Sequence, residues 1–326
     1  AGKHVYSEVL PVQSMAEAVK LTDAVEQSGA VYAYAENYCY MAAPREMKRI
    51  YRSGELGKFE YGEGEYFHNC EAGWADLTYG DENHWRNRMY ANFYCTHSVG
   101  PLLHITGLRP VKVTGFELPY NERMARMGAK SGLAGIEMIT LENGAVIKSA
   151  HGVGISKNSV WFSVYGSKGT VESGREAVRG SDGVNKVYTN LDRYDGECVE
   201  RFVAYNPVDA LTGRANANGH GGSDFYSMYN FVSKILGEKD ADIIDVYEAL
   251  DMFFPGLLGY RSVLGGGVPI EIPDFKNPSA REKFRNDTAC TDPAVAGKKL
   301  IPSYSKGNPD VPEAVYAALR KKCNIR

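Results

Sequence analysis

The sequence has 326 residues, of which 44% are apolar and 24% are charged, and its net charge is −3. This length accommodates one large domain or two smaller ones. The small net charge gives no sign of a nucleic-acid-binding surface. No apolar run approaches the roughly 18 residues that span a membrane. We therefore expect neither nucleic acid nor a membrane among the partners.

The cysteines are scattered and include no Cys-x-x-Cys pair: they are Cys39, Cys70, Cys95, Cys198, Cys290 and Cys323. Such spacing indicates neither a zinc ribbon nor a disulfide framework. We expect a reducing compartment, the cytoplasm, and no bound metal. His68, Cys70, Glu71 and His84 leave a metal site open as an alternative, although their spacing is irregular. The 22 tyrosines, against 12 phenylalanines, suit sugar-like ligands or subunit interfaces, and equally suit half-buried strands.

Residues 1–58 alternate strand and helix. We predict strands over residues 4–9 and 30–35. Ser14 and Glu17 form a capping box at the start of the helix between these strands, and a second helix starts at Pro44. This order predicts a parallel sheet with right-handed crossovers. Two strands are too few for a parallel sheet buried on both faces, so we interpret the segment as the C-terminal part of a doubly wound, Rossmann-type nucleotide-binding domain.

A dinucleotide-binding domain needs a Gly-x-Gly-x-x-Gly turn after its first strand. Gly62-Glu63-Gly64 lies within a predicted strand and has no third glycine. The glycines at 219–222 have another spacing and no preceding strand, and those at 265–267 lie in a turn. We therefore expect the pyrophosphate-binding turn to be missing from this sequence.

Strand patterns dominate from residue 59 onward. They predict strands over residues 59–68, 110–116, 136–141, 146–152, 159–165 and 170–173. Turns such as Glu142-Asn143-Gly144-Ala145 join neighbouring strands into hairpins. We expect a large, mainly antiparallel open sheet, forming a second domain over residues 59–326. Residues 174–218 have weak periodicity and are expected to be a long excursion, and the proline-rich C-terminal end is expected to be an extended arm.

A short helix around His97 is the first candidate site. Residues 94–107 predict a helix with an apolar inner face, and His97 lies at its start beside small residues that leave room for a ligand. Neutral imidazole suits a general base, because its ordinary pKa of about 6.5 lies near working pH. A core histidine is the alternative. Trp85 and Arg86 belong to a predicted polar, aromatic loop that suits a sugar or polyol, although a surface hydrogen-bond cluster has the same composition.

A glycine-rich turn before a later helix is the second candidate. The run Asn218-Gly219-His220-Gly221-Gly222-Ser223-Asp224 precedes an apolar-periodic helix. Such a turn at a helix N-terminus favours an anion or a polar ligand, which makes His220 a candidate site residue. Ser223 or Asp224 is expected to cap the helix.

Several segments together resemble the Gfo/Idh/MocA oxidoreductases, the family of glucose–fructose oxidoreductase and inositol dehydrogenase. They are Gly2-Lys3-His4-Val5 with Glu8, Ala35-Glu36-Asn37-Tyr38, and Ser53-Gly54-Glu55-Leu56-Gly57. The resemblance extends over nearly the whole chain, and in the family a glycine-rich half precedes this region. It implies helices on one face of the large sheet, a homo-oligomer formed through the open face, and NAD or NADP with an incomplete site in this chain. It also implies a small sugar or polyol substrate.

The same resemblance implies site residues position by position. The family's Glu-Lys-Pro corresponds to Glu8 followed by Val9, so an apolar side chain occupies the lysine position. The family's Asp-x-x-x-His-x-x-Asp retains His97, the implied general base. Phe93 and Gly100 stand in place of the two aspartates.

Two further positions extend the implied site. Asn37 falls where the family has an asparagine near the nicotinamide and substrate. The stretch from His220 to Asp224 resembles a His-Gly-Gly-x-Asp motif of sugar-acting branches, which include NAD-using glycosidases.

We therefore predict an NAD(P)-dependent oxidoreductase that acts on a CH–OH group of a sugar or cyclitol. The predicted site residues are catalytic His97 and His220, cofactor-binding Glu8 and Asn37, and substrate-binding Trp85, Arg86 and Asp224. A redox-neutral glycoside hydrolase that uses NAD is one alternative. A non-catalytic binding or assembly module is another, because the nucleotide-binding half is missing.

Overall fold

The computed structural model describes residues 2–176, 183–194 and 198–323. Its N-terminal region is a parallel strand pair, β1 (Val5–Ser7) and β2 (Tyr32–Tyr34), connected by helix α1 (Met15–Ser28). The predicted capping residue is confirmed, because Ser14 Oγ accepts the Glu17 N–H at 3.3 Å. The Glu17 carboxylate accepts the N–H of Gln13 at 2.7 Å, which holds the chain entering the helix.

A second, larger sheet has nine strands within the described residues. Its nine strands are β3 (Phe59–Phe67), β4 (Pro110–Glu117), β5 (Gly135–Leu141), β6 (Val146–Gly152), β7 (Ser159–Gly166), β8 (Gly169–Ser173), β9 (Val187–Tyr194), β10 (Cys198–Tyr205) and β11 (Ile270–Glu271). They lie in the order β10-β9-β8-β7-β3-β6-β5-β4-β11. Among these described strands only β3 and β6 pair in parallel. The predicted fold class, a small parallel sheet followed by a large, mainly antiparallel one, is confirmed.

The structure corrects the expected excursion over residues 174–218. β9 pairs with β8 and β10 pairs with β9, so this stretch extends one edge of the large sheet. Backbone hydrogen bonds to a neighbouring strand can stabilise a segment whose own periodicity is weak. Residues 177–182 and 195–197 of the expected excursion lie outside the described residues.

Helices connect the described strands, and several of them pack on the sheets. Besides α1 they are α2 (Ala42–Arg52), α3 (Trp74–Thr78), α4 (Trp85–Arg88), α5 (Thr96–Thr106), α6 (Glu122–Met127), α7 (Thr212–Ala215), α8 (Ser223–Ile235), α9 (Val246–Leu264), α10 (Pro278–Glu282), α11 (Pro293–Ala296) and α12 (Glu313–Lys322). Helix α2 starts two residues before the predicted Pro44. The predicted aromatic loop is also corrected, because α3 and α4 form short helices there. Within the described ranges, no helix is both long and apolar enough to cross a bilayer.

Two helices pack closely on one face of the large sheet, α5 on β3 and α9 on β4. Glycines in the strands allow this proximity. A Cβ atom on Gly64 would lie 1.8 Å from the Ser98 carbonyl oxygen, and one on Gly115 would lie 2.0 Å from the Gly259 carbonyl oxygen. On the opposite face, Phe116 is 51% exposed. A homo-oligomer formed through that face stays a prediction.

Candidate functional site

The candidate site lies where the first turn of α5 meets the end of β2. Glu36 follows β2 by two residues, and His97 is the second residue of α5. His97 Nδ1 lies 2.6 Å from Glu36 Oε1, and the two side chains are almost fully buried. A buried imidazole that contacts a carboxylate is held in one orientation and can carry a positive charge when protonated.

Gly100 admits Glu36 to this position. A Cβ atom on Gly100 would lie 3.0 Å from Glu36 Cγ and 3.2 Å from Met252 Sδ, which is tighter than ordinary van der Waals contact. Gly100 is one of the two positions at which the Gfo/Idh/MocA pattern has aspartate. In this chain the carboxylate beside the histidine comes from Glu36, which lies 61 residues away in the sequence.

Three tyrosines surround the His97 ring. The ring centroids of Tyr38, Tyr66 and Tyr94 lie 4.5, 4.6 and 5.0 Å from that of His97. Burial, followed by the charge of Glu36, raises the pKa of Tyr38. Burial also raises the pKa of Tyr66, and it raises that of Tyr94 to about 12 against the influence of Arg86. All three phenols therefore keep their protons at neutral pH and can donate hydrogen bonds to a ligand.

A second polar group adjoins Glu36 through the next residue, Asn37. The Asn37 amide donates to Asp224 Oδ1 at 3.4 Å, and His220 Nδ1 lies 2.9 Å from Asp224 Oδ2. The predicted cap is corrected here: α8 starts after Gly222, and no capping side-chain hydrogen bond is formed. The reason is that Ser223 and Asp224 already lie within α8, where the Asp224 carboxylate contacts Asn37 and His220.

The turn before α8 has an unusual backbone. His220 has φ 50°, and Gly221 and Gly222 have φ 64° and 92°. Non-glycine residues rarely adopt such positive φ values. The His220 side chain is 57% exposed, so unlike His97 it is accessible at the surface.

Trp85 and Arg86 are close to the same site. The Arg86 guanidinium lies 4.3 Å from the Trp85 ring centroid and also acts on the Tyr94 hydroxyl. Trp85 lines a cavity of about 250 Å³ together with Val9 and Phe93. The structure thus places in one cavity two positions where this chain departs from the Gfo/Idh/MocA pattern.

Glu8, the predicted cofactor-binding residue after β1, is exposed. Its charge acts on Tyr94. Of the other predicted site residues, Asn37 and His220 each contact Asp224, whereas His97 contacts Glu36.

Two buried atoms of the site have no hydrogen-bond partner among the described residues, Glu36 Oε2 and Asn37 Oδ1. Buried polar atoms are nearly always hydrogen-bonded, so these two are suited to polar groups of a ligand. The described residues form no group of three or more histidine, cysteine or acidic side chains that could hold a metal. In the alternative metal cluster, His68 Nδ1 lies 3.1 Å from Cys70 Sγ.

Sequence reasoning missed Glu36 and the three tyrosines. Glu36 stood within the segment that carried the family resemblance, immediately before Asn37, and a carboxylate after a short buried strand was the available signal. The excess of tyrosine pointed to the residue type but not to Tyr38, Tyr66 and Tyr94.

Comparison with known proteins gives the family context. The family model described as glycosyl hydrolase 109, C-terminal domain, matches residues 107–281. A glycosyl hydrolase family 109 protein of Solibacter usitatus is 24% identical over an alignment that covers 84% of this chain and 66% of that protein. An alpha-N-acetylgalactosaminidase of Tannerella forsythia is 24% identical over an alignment that covers 83% of this chain and 65% of that protein. The chain thus spans about two thirds of these relatives.

Solved structures share the fold. An inositol dehydrogenase homolog complexed with NAD+ from Azotobacter vinelandii has a TM-score of 0.62 at 14% identity, covering 83% of this chain and 72% of that one. A levoglucosan dehydrogenase in complex with NADH and L-sorbose has a TM-score of 0.62 at 17% identity, covering 84% and 74%. At these identities the comparison supports the fold, which is the one implied by the Gfo/Idh/MocA resemblance.

Proposed function

Since the chain belongs to the glycosyl hydrolase 109 family, through the C-terminal domain of that family, we propose that it carries the sugar-binding site of a glycoside hydrolase that uses NAD or NADP without consuming it. In the proposed reaction a sugar CH–OH group loses a hydride from carbon and a proton from oxygen. The ketone lets the neighbouring carbon lose a proton to solvent as the aglycone leaves from the next carbon. Water then adds its hydroxyl to that next carbon, the neighbouring carbon regains a proton from solvent, and the hydride returns to the ketone carbon.

The buried contact between Glu36 and His97 is the observation that carries this proposal. Oxidation of a hydroxyl group requires a proton acceptor beside the oxygen. His97 accepts the proton in our proposal, and Glu36 stabilises the resulting imidazolium at the 2.6 Å contact. The same pair returns the proton when the ketone is reduced.

The tyrosines donate hydrogen bonds where His97 removes a proton. A departing aglycone oxygen is stabilised by hydrogen-bond donors beside it. Because burial keeps Tyr38, Tyr66 and Tyr94 protonated, we assign them as donors to the sugar oxygens, including the one that leaves. His220 and Asp224 are assigned to sugar hydroxyls on the other side of Asn37, and Trp85 with Arg86 to a face of the sugar ring.

The cofactor, when bound, supplies the hydride acceptor and donor. Glu8 and Asn37 would hold its nicotinamide end, and Asn37 Oδ1, which accepts no hydrogen bond from the described residues, suits an amide N–H. The sequence has no Gly-x-Gly-x-x-Gly turn after a strand, so these residues fit only that end of the cofactor.

A net oxidoreductase is the second candidate function. It is favoured by the fold shared with sugar and cyclitol dehydrogenases, and it would use His97 in the same way. The apolar Val9 in the family's lysine position does not favour it.

The test is to assay the longest natural form of the protein that contains this chain. Purified protein receives p-nitrophenyl α-N-acetylgalactosaminide, the glycoside suggested by the name of the Tannerella forsythia relative, with NAD in D2O. Our proposal predicts nitrophenol release without net NADH and deuterium on the carbon beside the transient ketone. Net NADH formed with free sugars would instead indicate an oxidoreductase. Neither product, from protein that binds the glycoside, would indicate a binding module.

A further inference from the structure

A buried polar cluster lies directly behind the first turn of α5. Asn92 precedes the helix, Ser98 belongs to it, Glu137 lies on β5, and Ser149 and His151 lie on β6. None of the five side chains has exposed surface. The proposed reaction uses none of them. Fully buried polar clusters of this kind fix one arrangement of the elements they connect.

Ser98 connects this cluster to α5. Its hydroxyl donates to the Cys95 carbonyl oxygen at 2.8 Å, so towards the sheet it can only accept. Ser149 Oγ lies 2.8 Å from Ser98 Oγ and is therefore the donor in that contact. His151 Nδ1 lies 3.3 Å from the same oxygen; this is a packing contact, because the Ser98 proton is already donated to Cys95. Ser98 is the residue next to His97, so its anchoring bears directly on the site.

Glu137 is the most constrained member. Its Oε1 accepts the Asn92 amide at 2.6 Å, whereas Oε2 has no hydrogen-bond partner among the described residues. That oxygen lies 3.4 Å from His151 Nδ1. An ionised carboxylate would leave Oε2 uncompensated in the core, but a protonated one can donate to the imidazole nitrogen.

We infer that Glu137 is a positioning residue, which as a neutral acid donates to His151 Nδ1 and so holds the layer of side chains on which Ser98 rests. Through Ser98 this layer fixes the first turn of α5 and the His97 ring between the three tyrosines. The close packing of the Ser98 carbonyl on Gly64 constrains the same turn from β3.

The pKa values of the two groups agree with this arrangement. Burial raises the pKa of Glu137 to about 8, against the hydrogen bond that Asn92 donates to it. Burial lowers the pKa of His151 to about 3, and the nearby His97 lowers it further. At neutral pH both groups are therefore uncharged, and the hydrogen bond between them joins two neutral partners.

The test follows the His97 ring by NMR and needs no turnover. The chain has seven histidines, and labelling their Cε1 carbons gives one resonance each, with His97 assigned from a His97→Gln variant. Ring currents of the three neighbouring tyrosines make this resonance sensitive to small displacements. Glu137→Gln retains the shape and an N–H donor, so its His97 resonance should match the wild type.

Glu137→Leu removes the donor and should shift the His97 resonance. In active full-length protein it should lower kcat by about 100-fold, the effect of about 1 Å misplacement, and change KM less than threefold. Ser98→Ala removes the hydroxyl that accepts from Ser149, with a small change in side-chain volume, and should shift the same resonance. Ser262→Ala is the matched control, because it removes a fully buried serine of α9 and should lower stability without shifting His97.

Two outcomes would overturn the inference. If Glu137→Gln is as destabilised as Glu137→Leu, the residue is an ionised carboxylate and not a neutral donor. If Ser98→Ala and every folded Glu137 variant leave the His97 resonance in place, the cluster does not position it. Absence of glycoside cleavage by the wild type would refute the proposed function but leave this resonance test intact.

Discussion

Replacement of Gly64 by alanine should move α5 and displace His97. The new Cβ atom would lie 1.8 Å from the carbonyl oxygen and 2.8 Å from the carbonyl carbon of Ser98. Both are backbone atoms, so no rotamer change relieves the contact. The helix must move away from β3 by about 1.2 Å to reach even a tight contact, and overpacking of this kind costs about 1–3 kcal/mol. For a chain of this length that corresponds to a fall in Tm of about 2–4 °C.

The matched control is Gly73→Ala, because no neighbouring heavy atom lies within 4 Å of a Cβ atom at that position. Calorimetry gives Tm, and glycoside cleavage by the full-length protein gives turnover. The displacement should lower kcat by about 100-fold. The reasoning is refuted if Gly64→Ala matches Gly73→Ala in Tm and retains wild-type turnover, because α5 then does not lie on β3 at the distance described.

Three further predictions concern charge. Glu36→Gln should lower kcat by about 100- to 10,000-fold with little change in KM, because the amide cannot stabilise an imidazolium; unchanged turnover would remove Glu36 from the mechanism. Gly100→Asp should lower the unfolding free energy by about 1–3 kcal/mol, because its Cβ atom would lie 3.0 Å from Glu36 Cγ, and equal denaturation midpoints would contradict this. Burial opposes a charge on His104, but Glu248 and Asp242 raise its pKa to about 9. The stabilisation of the folded protein by protonated His104 is therefore complete below pH 6.5 and lost as the pH rises through 9. Urea denaturation should show that the free energy of unfolding falls by at most about 3 kcal/mol over this range, and a His104→Gln variant should lack this fall.

Local features of the fold could be predicted from sequence because their signals are local. Ser14 and Glu17 lie three residues apart and cap the helix they precede. The Asn143-Gly144 turn joins β5 and β6 as expected. The pairing of β9 with β8 could not be predicted, because it depends on the edge that an existing sheet presents and not on the periodicity of β9 itself.

The candidate site was predictable only in part for the same reason. His97 and Asn37 were identified because they match family positions. The contact of His97 with Glu36 joins residues 61 positions apart, and it requires α5 to lie on β3 through Gly64. Asp224 was expected as a cap, since a helix start attracts such residues, and its contact with Asn37 across 187 positions has no local signal.

The departures from the Gfo/Idh/MocA pattern follow from one another once the structure is considered. The aspartate positions around His97 hold Phe93 and Gly100, which by sequence alone suggests a lost catalytic group. In the structure a side chain at position 100 would crowd Glu36, and Glu36 supplies the carboxylate beside His97. Phe93 lines the same cavity as Val9. The other aspartate position and the lysine position of the pattern therefore both carry apolar side chains in one cavity. In our proposal the Glu36 carboxylate at the end of β2 takes the place of an acidic group on α5 beside His97. The departures at Phe93 and Gly100 are therefore compatible with acid–base chemistry at His97.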